Sequence, residues 1–380
     1  MSPAPTSEST SDSGKAPAYG PLPRRAEDVT SEWLTTALQS HGRDVVVKTV
    51  RRRPLGEGVG MMSGLEVLEL DYERGEGPRS MVLKFPATND ANRAVALAFD
   101  IYRREVLFYR DVAALTTAAT PEIYFAEIEG KENFILLLED MSHYRLGDQI
   151  EGCGAADAEL CMVELGELHA SFWNDVERPE LEFLPYLHPS HHAEALQQGA
   201  VAGWDPMLGI FGDVVPEHVR AIKDRYLPAI PRMQEWMTSR PLTVAHGDFR
   251  MDNLFFGTAP GDAPVAALDW QGCLREKAVA DLAYFLSGSV PIEDRRAHER
   301  DLIAKWHETV VHGGVQDYSF EQAWEDYRRA ILYTWTIVVV IAGTLDPSNE
   351  RGKAWMTLMV ERAVAAMDDL DVIPLLAEFE

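Results

Sequence analysis

The sequence predicts an α+β protein of two lobes, a small antiparallel β-sheet with one main helix followed by a larger, mostly helical part. Three observations carry this reading. The chain has 380 residues, enough for two lobes and a large buried core. Short apolar runs bounded by turn formers crowd into the segment before residue 141. After it, apolar residues recur at helical spacing almost to the end, apart from one compact loop-and-hairpin stretch between His246 and Asp281. The expected boundaries are a Ser/Pro/Ala-rich disordered tail over 1–26, a sheet lobe over 27–141 and a helical lobe over 142–380.

Composition removes several function classes. With 46% hydrophobic and 25% charged residues the chain is that of a soluble globular protein. A net charge of −26 argues against nucleic-acid binding, which wants a basic face; the one dense basic run, Arg51 to Arg53, reads as a solvated strand edge. The same acidic excess solubilises the surface and permits a cationic substrate. Three cysteines, Cys153, Cys161 and Cys273, with no CxxC pair imply a reducing compartment and no disulfide framework. The N-terminus has no charged segment followed by an apolar one, so it does not read as a signal peptide. The longest apolar run, Ile331 to Leu345, is too short to span a bilayer and reads as a core helix. The expected location is the cytoplasm, with no membrane or nucleic-acid partner.

Taking the chain in order, Glu27 to His41 places Trp33, Leu34, Ala37 and Leu38 at helical spacing, with Gly42 as the stop. Strands are expected over 45–53, 65–72 and 80–85. The first two are joined by a glycine-rich stretch containing Gly56, Gly58, Gly60 and Gly64. Backbone N–H groups of such a loop can close over phosphates, because no Cβ stands in the way. An ordinary hairpin loop accounts for it equally well. Lys84 lies inside the apolar run Met81 to Phe85, where an ammonium is costly without a partner. The following helix, expected over 89–115, carries an apolar stripe of Leu97, Ile101, Phe108, Val112 and Leu115, with Glu105 inside it. A Lys84–Glu105 ion pair follows. Two more strands, over 122–128 and 133–138, lead into the link Glu139-Asp140-Met141.

A long helix is expected over 155–173, with His169 as a satisfied core histidine. The segment 174–240 reads as a helical insertion broken by Pro185, Pro189, Pro206, Pro216, Pro228 and Pro231. Its run His188 to His192 lacks the regular spacing of a metal site and reads as a polar loop. Then comes His246-Gly247-Asp248-Phe249-Arg250-Met251-Asp252-Asn253, an aspartate with an asparagine five positions later. Leu254–Phe256 and Val265–Leu268, separated by turn formers, predict an antiparallel hairpin. That hairpin sets Asn253, before its first strand, beside Asp269, after its second. Two oxygen ligands at one end of a hairpin, with Asp248 on the loop feeding it, make a hard-cation site of the kind magnesium uses with phosphate oxygens. Asp281, at the start of an apolar helix, either complements the helix dipole or braces the preceding loop. Ser319 and Gln322 form a capping-box pattern. The interleaved Trp324, Glu325, Asp326, Tyr327, Tyr333 and Trp335 fit amphipathic packing better than an aromatic cage for a cation.

Lys84, Glu105, Asp248, Asn253 and Asp269 occur in the order and spacing of kinase functional groups. The chain resembles the aminoglycoside phosphotransferase and choline kinase group, the small-molecule branch of the protein-kinase-like fold. The octet, Leu268-Asp269-Trp270-Gln271 and Asp281 to Leu286 look most similar to the ecdysteroid-kinase-like and acyl-CoA-dehydrogenase-associated phosphotransferases. The resemblance implies Asp248 as the catalytic base and Asn253 and Asp269 as Mg²⁺ ligands. It further implies Lys84, oriented by Glu105, on the α- and β-phosphates of ATP or GTP, and Gly56, Gly58 and Gly60 over the nucleotide. Backbone at Glu139 and Met141 would meet adenine, while His246 and Asp281 would support the site. Gly247 stands where protein kinases carry an arginine, and no A-P-E segment follows, so the expected acceptor is a small-molecule hydroxyl rather than a protein. An antibiotic-inactivating phosphotransferase is the alternative within this class. A non-catalytic nucleotide-binding scaffold is the alternative outside it.

Overall fold

The computed structural model describes residues 19–55, 62–346 and 349–380. Helix α1 (Ser31–Ser40) is started by the Thr30 side chain, which accepts the Trp33 N–H, and the chain turns away at Gly42 with φ +81°. Strands β1 (Val46–Pro54), β2 (Ser63–Arg74) and β3 (Ser80–Pro86) follow, and helices α2 (Asp90–Ala98) and α3 (Ile101–Leu107) come next. Then β4 (Ile123–Glu129) and β5 (Asn133–Glu139) complete an antiparallel sheet of order β1-β2-β3-β5-β4. The candidate glycines Gly56, Gly58 and Gly60 lie outside the described residues.

The two-residue period of β3 separates its side chains. Met81, Leu83 and Phe85 pack with Leu34, Ala37 and Leu38 of α1 on one face, whereas Val82 lies against the core on the other face. Lys84 therefore turns toward α3. The assignment of 1–26 to a disordered tail needs correction for its last residues. Leu22 and Ala26 are buried in the α1 face, Tyr19 packs edge-on against Phe125, and the Leu22 N–H donates to Glu129 Oε1 at 3.1 Å.

The single helix expected over 89–115 is divided. Asp100 takes the left-handed conformation (φ 53°), which aspartate tolerates better than most residues, and the helix restarts in a new direction. α2 buries only Ala96, whereas α3 buries Tyr102, Arg104, Glu105, Val106 and Leu107 beneath the sheet. A π-turn over Phe108–Val112 and a 3-10 turn over Ala113–Leu115 finish it.

The rest is mostly helical. A two-residue strand β6 (Arg145–Leu146) precedes α4 (Ala155–Ser171), α5 (His191–Phe211), α6 (Glu217–Arg220) and α7 (Lys223–Met237). Four short strands follow, β7 (Thr243–Ala245), β8 (Leu254–Phe256), β9 (Val265–Ala267) and β10 (Leu274–Glu276). Helices α8 (Val279–Ser289), α9 (Ile292–His312), α10 (Phe320–Thr344) and α11 (Glu350–Asp369) close the chain. β8 pairs antiparallel with β9, as the hairpin reading required, and β7 with β10. The capping box of Ser319 and Gln322 is formed. The run from Ile331 provides the buried second half of α10, and among the described residues no helix is long and apolar enough to cross a membrane.

Two expectations for the insertion fail. Pro206 lies inside α5, and Pro228 and Pro231 lie inside α7, without ending either helix. Each interior proline costs about 3 kcal/mol, and here packing outweighs it. Trp204 and Met207 of α5 and Tyr226, Ile230 and Met233 of α7 are all fully buried. α5 also crosses α10 backbone to backbone, since a Cβ on Gly343 would fall 2.0 Å from the Gly203 carbonyl oxygen. Nor is His188–His192 a loop throughout. Ser190 caps α5 by accepting the Ala193 N–H, so His191 and His192 form its first turn.

Candidate active site

β3 and α3 bring the first cluster together. The Lys84 ammonium donates to Glu105 Oε1 at 2.6 Å, as expected, and also to Asp269 Oδ1 at 2.9 Å, which the sequence did not indicate. Burial alone would depress the lysine, but Asp269 and Glu105 together outweigh it and hold it above its ordinary value. Burial pushes Glu105 upward, against the pull of Lys84. Its second oxygen, Oε2, is buried without a hydrogen-bond partner among the described residues.

β7 and β10 carry the octet. Gly247 has φ +77°, and a Cβ there would fall 2.3 Å from the Gly272 carbonyl oxygen. The close passage of the two strands therefore excludes any side chain at the position where protein kinases place arginine. Asp281, at the start of α8, braces the turn. Its Oδ2 accepts the His246 N–H at 2.7 Å and its Oδ1 the Gly247 N–H at 2.9 Å. His169 supports Asp281 in turn. Trp306 Nε1–H donates to His169 Nδ1 at 3.0 Å, which leaves Nε2–H to donate to Asp281 Oδ2 at 3.2 Å. Burial would raise Asp281, yet these donors and the nearby histidines hold it below the usual carboxylate range. His246 is locked in the same way, with Nε2 bonded to the Leu268 carbonyl at 2.9 Å and Nδ1 accepting the Asp248 N–H at 3.2 Å.

Asp248 is surrounded by donors. Asn253 Nδ2 reaches its Oδ2 at 2.9 Å and its carbonyl at 2.9 Å. Arg250 Nε stands 3.2 Å from Oδ1, and the Tyr284 hydroxyl donates to Oδ1 at 3.2 Å. Burial raises Asp248 above the usual aspartate value, while Arg250 pulls it down. Burial likewise opposes charge on Arg250, but Asp248 and Asp252 outweigh it and keep the guanidinium ionised. Gln149 secures the following turn by accepting the Met251 N–H at 2.8 Å.

The hairpin register places the two expected ligands side by side, since the Leu268 N–H donates to the Asn253 carbonyl at 2.9 Å. Asp269 is left-handed (φ 64°), with Oδ1 on Lys84 and Oδ2 accepting from Gln271 Nε2 at 3.0 Å. The Asn253 amide nitrogen is engaged by Asp248, which leaves its Oδ1 for a cation. Among the described residues no three His, Cys, Asp or Glu side chains form a metal cluster. One amide oxygen and one carboxylate fit magnesium, which takes one or two protein ligands and fills its shell with water and phosphate oxygens. Trp270 stacks on Phe108 with centroids 3.8 Å apart and donates to the Ala267 carbonyl, fixing the segment that bears Asp269. At the end of β5, the Glu139 N–H donates to the Glu122 carbonyl, and the buried Met141 accepts from the Tyr144 N–H.

The sequence reading missed Arg250, Tyr284 and Gln271. Tyr284 carried one usable signal, lying three residues after Asp281 on the same helical face. Arg250 sits in a loop and Gln271 in a single 3-10 turn, where no periodicity marks the inward side chain.

The sequence matches the family described as ecdysteroid kinase-like over residues 58–313. Acyl-CoA dehydrogenase family member 10 of Mus musculus is 34% identical over an alignment of 102 residues that covers 22% of this chain and 9% of that protein. The chain thus spans about a tenth of the length of the curated relative it matches. Among solved structures, the choline kinase of Cryptosporidium parvum Iowa II superposes with TM-score 0.54 at 12% identity, covering 86% of this chain and 92% of that one. A microcompartment-associated aminopropanol kinase gives 0.52 at 10% identity, covering 91% and 99%. The GDP complex of an aminoglycoside 2'-phosphotransferase gives 0.52 at 13% identity, covering 87% and 97%. These likenesses show the two-lobed protein-kinase-like fold.

Proposed function

Because this chain belongs to the ecdysteroid kinase-like family, which groups it with small-molecule kinases, we propose that it transfers the γ-phosphoryl group of ATP or GTP to a hydroxyl of a small molecule. The observation that carries this reading is the junction of the two clusters at Asp269. That residue meets Lys84 on one side, and on the other its hairpin neighbour Asn253 holds Asp248. Lys84, steadied by Glu105, receives the α- and β-phosphates, and Glu139 and Met141 supply backbone groups to the base. The boundary between the lobes then falls at 141. When bound, magnesium at Asn253 and Asp269 supplies positive charge to the phosphate oxygens.

The acceptor oxygen forms a bond to the γ-phosphorus as the bond from that phosphorus to the β–γ bridging oxygen breaks, and Asp248 takes the hydroxyl proton. Burial prepares Asp248 for this role by bringing its affinity for a proton closer to neutrality. Arg250, beside Asp248, faces the charge that develops on the transferred group. His246 and Asp281 hold the loop without touching substrate. Cys153, Cys161 and Cys273 are all buried and free, which supports a cytoplasmic, reducing setting.

The test is nucleoside-diphosphate release from Mg-ATP and Mg-GTP across a panel of alcohols, amino alcohols, sterols, sugars, aminoglycosides and macrolides. Release stimulated by one acceptor class, with a phosphorylated product, is the expected result. Nucleotide binding without transfer to any hydroxyl compound would favour a scaffold.

A further inference from the structure

Lys277 follows β10. Because Glu276 pairs with Thr243 and Leu274 with Ala245, Lys277 lies at the opposite end of the β7–β10 ladder from the loop that starts at His246. Its backbone N–H donates to the Met237 carbonyl, and its side chain is only 4% exposed. The ammonium has three donors but finds one acceptor at hydrogen-bond distance among the described residues, the Arg240 carbonyl at 3.2 Å. Asp326 stands 3.7 Å away and the Trp236 ring centroid 5.0 Å away. Burial draws Lys277 below the ordinary lysine value, opposed in part by Asp326. A buried ammonium with so few acceptors is unusual in a folded protein.

A cavity of about 810 Å³ opens beside it. Trp173, Trp236 and Tyr318 give it aromatic walls, and the Tyr318 hydroxyl donates to Asp326 at 3.1 Å. Several lining charges are already paired. Arg329 binds Glu378 at 2.8 Å and Glu325 binds Arg328 at 3.0 Å. Lys277, at the floor, has Asp326 as its ion-pair partner at 3.7 Å, and the lining charges with no ion-pair partner among the described residues are Arg240, Asp317 and Glu321, all at the exposed rim.

We propose that this cavity is a second ligand site, separate from the phosphoryl-transfer site, that binds a zwitterionic aromatic amino acid. The carboxylate supplies Lys277 with a second acceptor, closer than Asp326 stands, and the ring lies between the Trp236 and Trp173 side chains. The ammonium faces Asp326 and the acidic rim, which turns polyanions such as nucleotides away.

Calorimetric titration of the full chain with L-phenylalanine and L-tryptophan, with and without saturating Mg-ATP, tests this. Saturable millimolar or tighter binding that Mg-ATP does not displace is expected, with phenethylamine, which lacks the carboxylate, failing to bind. Lys277→Met should weaken binding by about tenfold or more, the loss of a charge-assisted hydrogen bond. Should that variant not fold, Glu321→Gln, at an exposed position, should still weaken binding while leaving the melting temperature unchanged. Absence of binding by both amino acids, displacement by Mg-ATP, equal binding of phenethylamine, or unaltered binding in both variants would overturn the proposal.

Discussion

Around Lys84 one ammonium serves two carboxylates, Glu105 and Asp269, whereas around Asp248 one carboxylate is ringed by Arg250, Asn253 and Tyr284. The first cluster is rich in acid and suits a cation. The second is rich in donors and suits negative charge. Since Asp269 and Asn253 adjoin across the hairpin, the two meet where a phosphoryl group bound to a metal would sit. The difference divides the labour. On the proposed function, binding of the metal–nucleotide complex would fall to the first cluster and proton removal from the acceptor to the second.

Breaking the second cluster should cost most. Asp248→Asn keeps an acceptor for Arg250 and Tyr284 but removes the base, and kcat should fall about 10³-fold with nucleotide affinity retained. Steady-state kinetics beside nucleotide titration check both halves of that statement. Breaking the first cluster should act on the metal instead. Asp269→Asn should shift the magnesium dependence of activity upward by about 10- to 100-fold, read from rates at a series of magnesium concentrations.

A smaller change sharpens the contrast within the second cluster. The Tyr284 hydroxyl donates to the ionised form of Asp248, so its loss raises the proton affinity of that carboxylate. Tyr284→Phe should lower kcat about 3- to 10-fold and move the acidic limb of the pH–rate profile to higher pH, leaving the magnesium dependence untouched. A lesion in the first cluster moves the magnesium curve and not that limb.

Much of this arrangement was legible beforehand, for a local reason. The candidate ligand and base positions are spaced along one short loop and hairpin, so spacing alone placed Asn253 beside Asp269, and an acid on an apolar helical stripe paired Glu105 with Lys84. Tyr284 was obscured by the apolar run Leu282 to Leu286, where an aromatic residue reads as core. Arg250 was obscured because a loop has no period to show which side faces in. The break at Asp100 and the prolines inside α5 and α7 escaped for another reason. Long-range packing decides them, and local propensity is too weak to resist it.

A prediction on stability rather than activity lies outside both clusters and calibrates them. Glu164 of α4 accepts the Ala119 N–H at 2.5 Å, and burial raises it from 4.5 to about 8. A folded-state value above the unfolded one means that stability is full below about 4.5 and declines as pH rises toward 8, by at most about 1.4 kcal/mol per pH unit. In Glu164→Gln the amide keeps the acceptor and does not titrate, so the fall in melting temperature across this range should flatten, while the activity lesions of the other variants should be unaffected.

The most direct test of the division is calorimetric binding of Mg-ATP to the wild type, Asp248→Asn and Asp269→Asn. Asp248→Asn should bind as the wild type does, while Asp269→Asn should lose the magnesium-dependent part of the affinity. Equal loss in both variants, or a magnesium-dependent affinity in Asp269→Asn equal to that of the wild type, would contradict it.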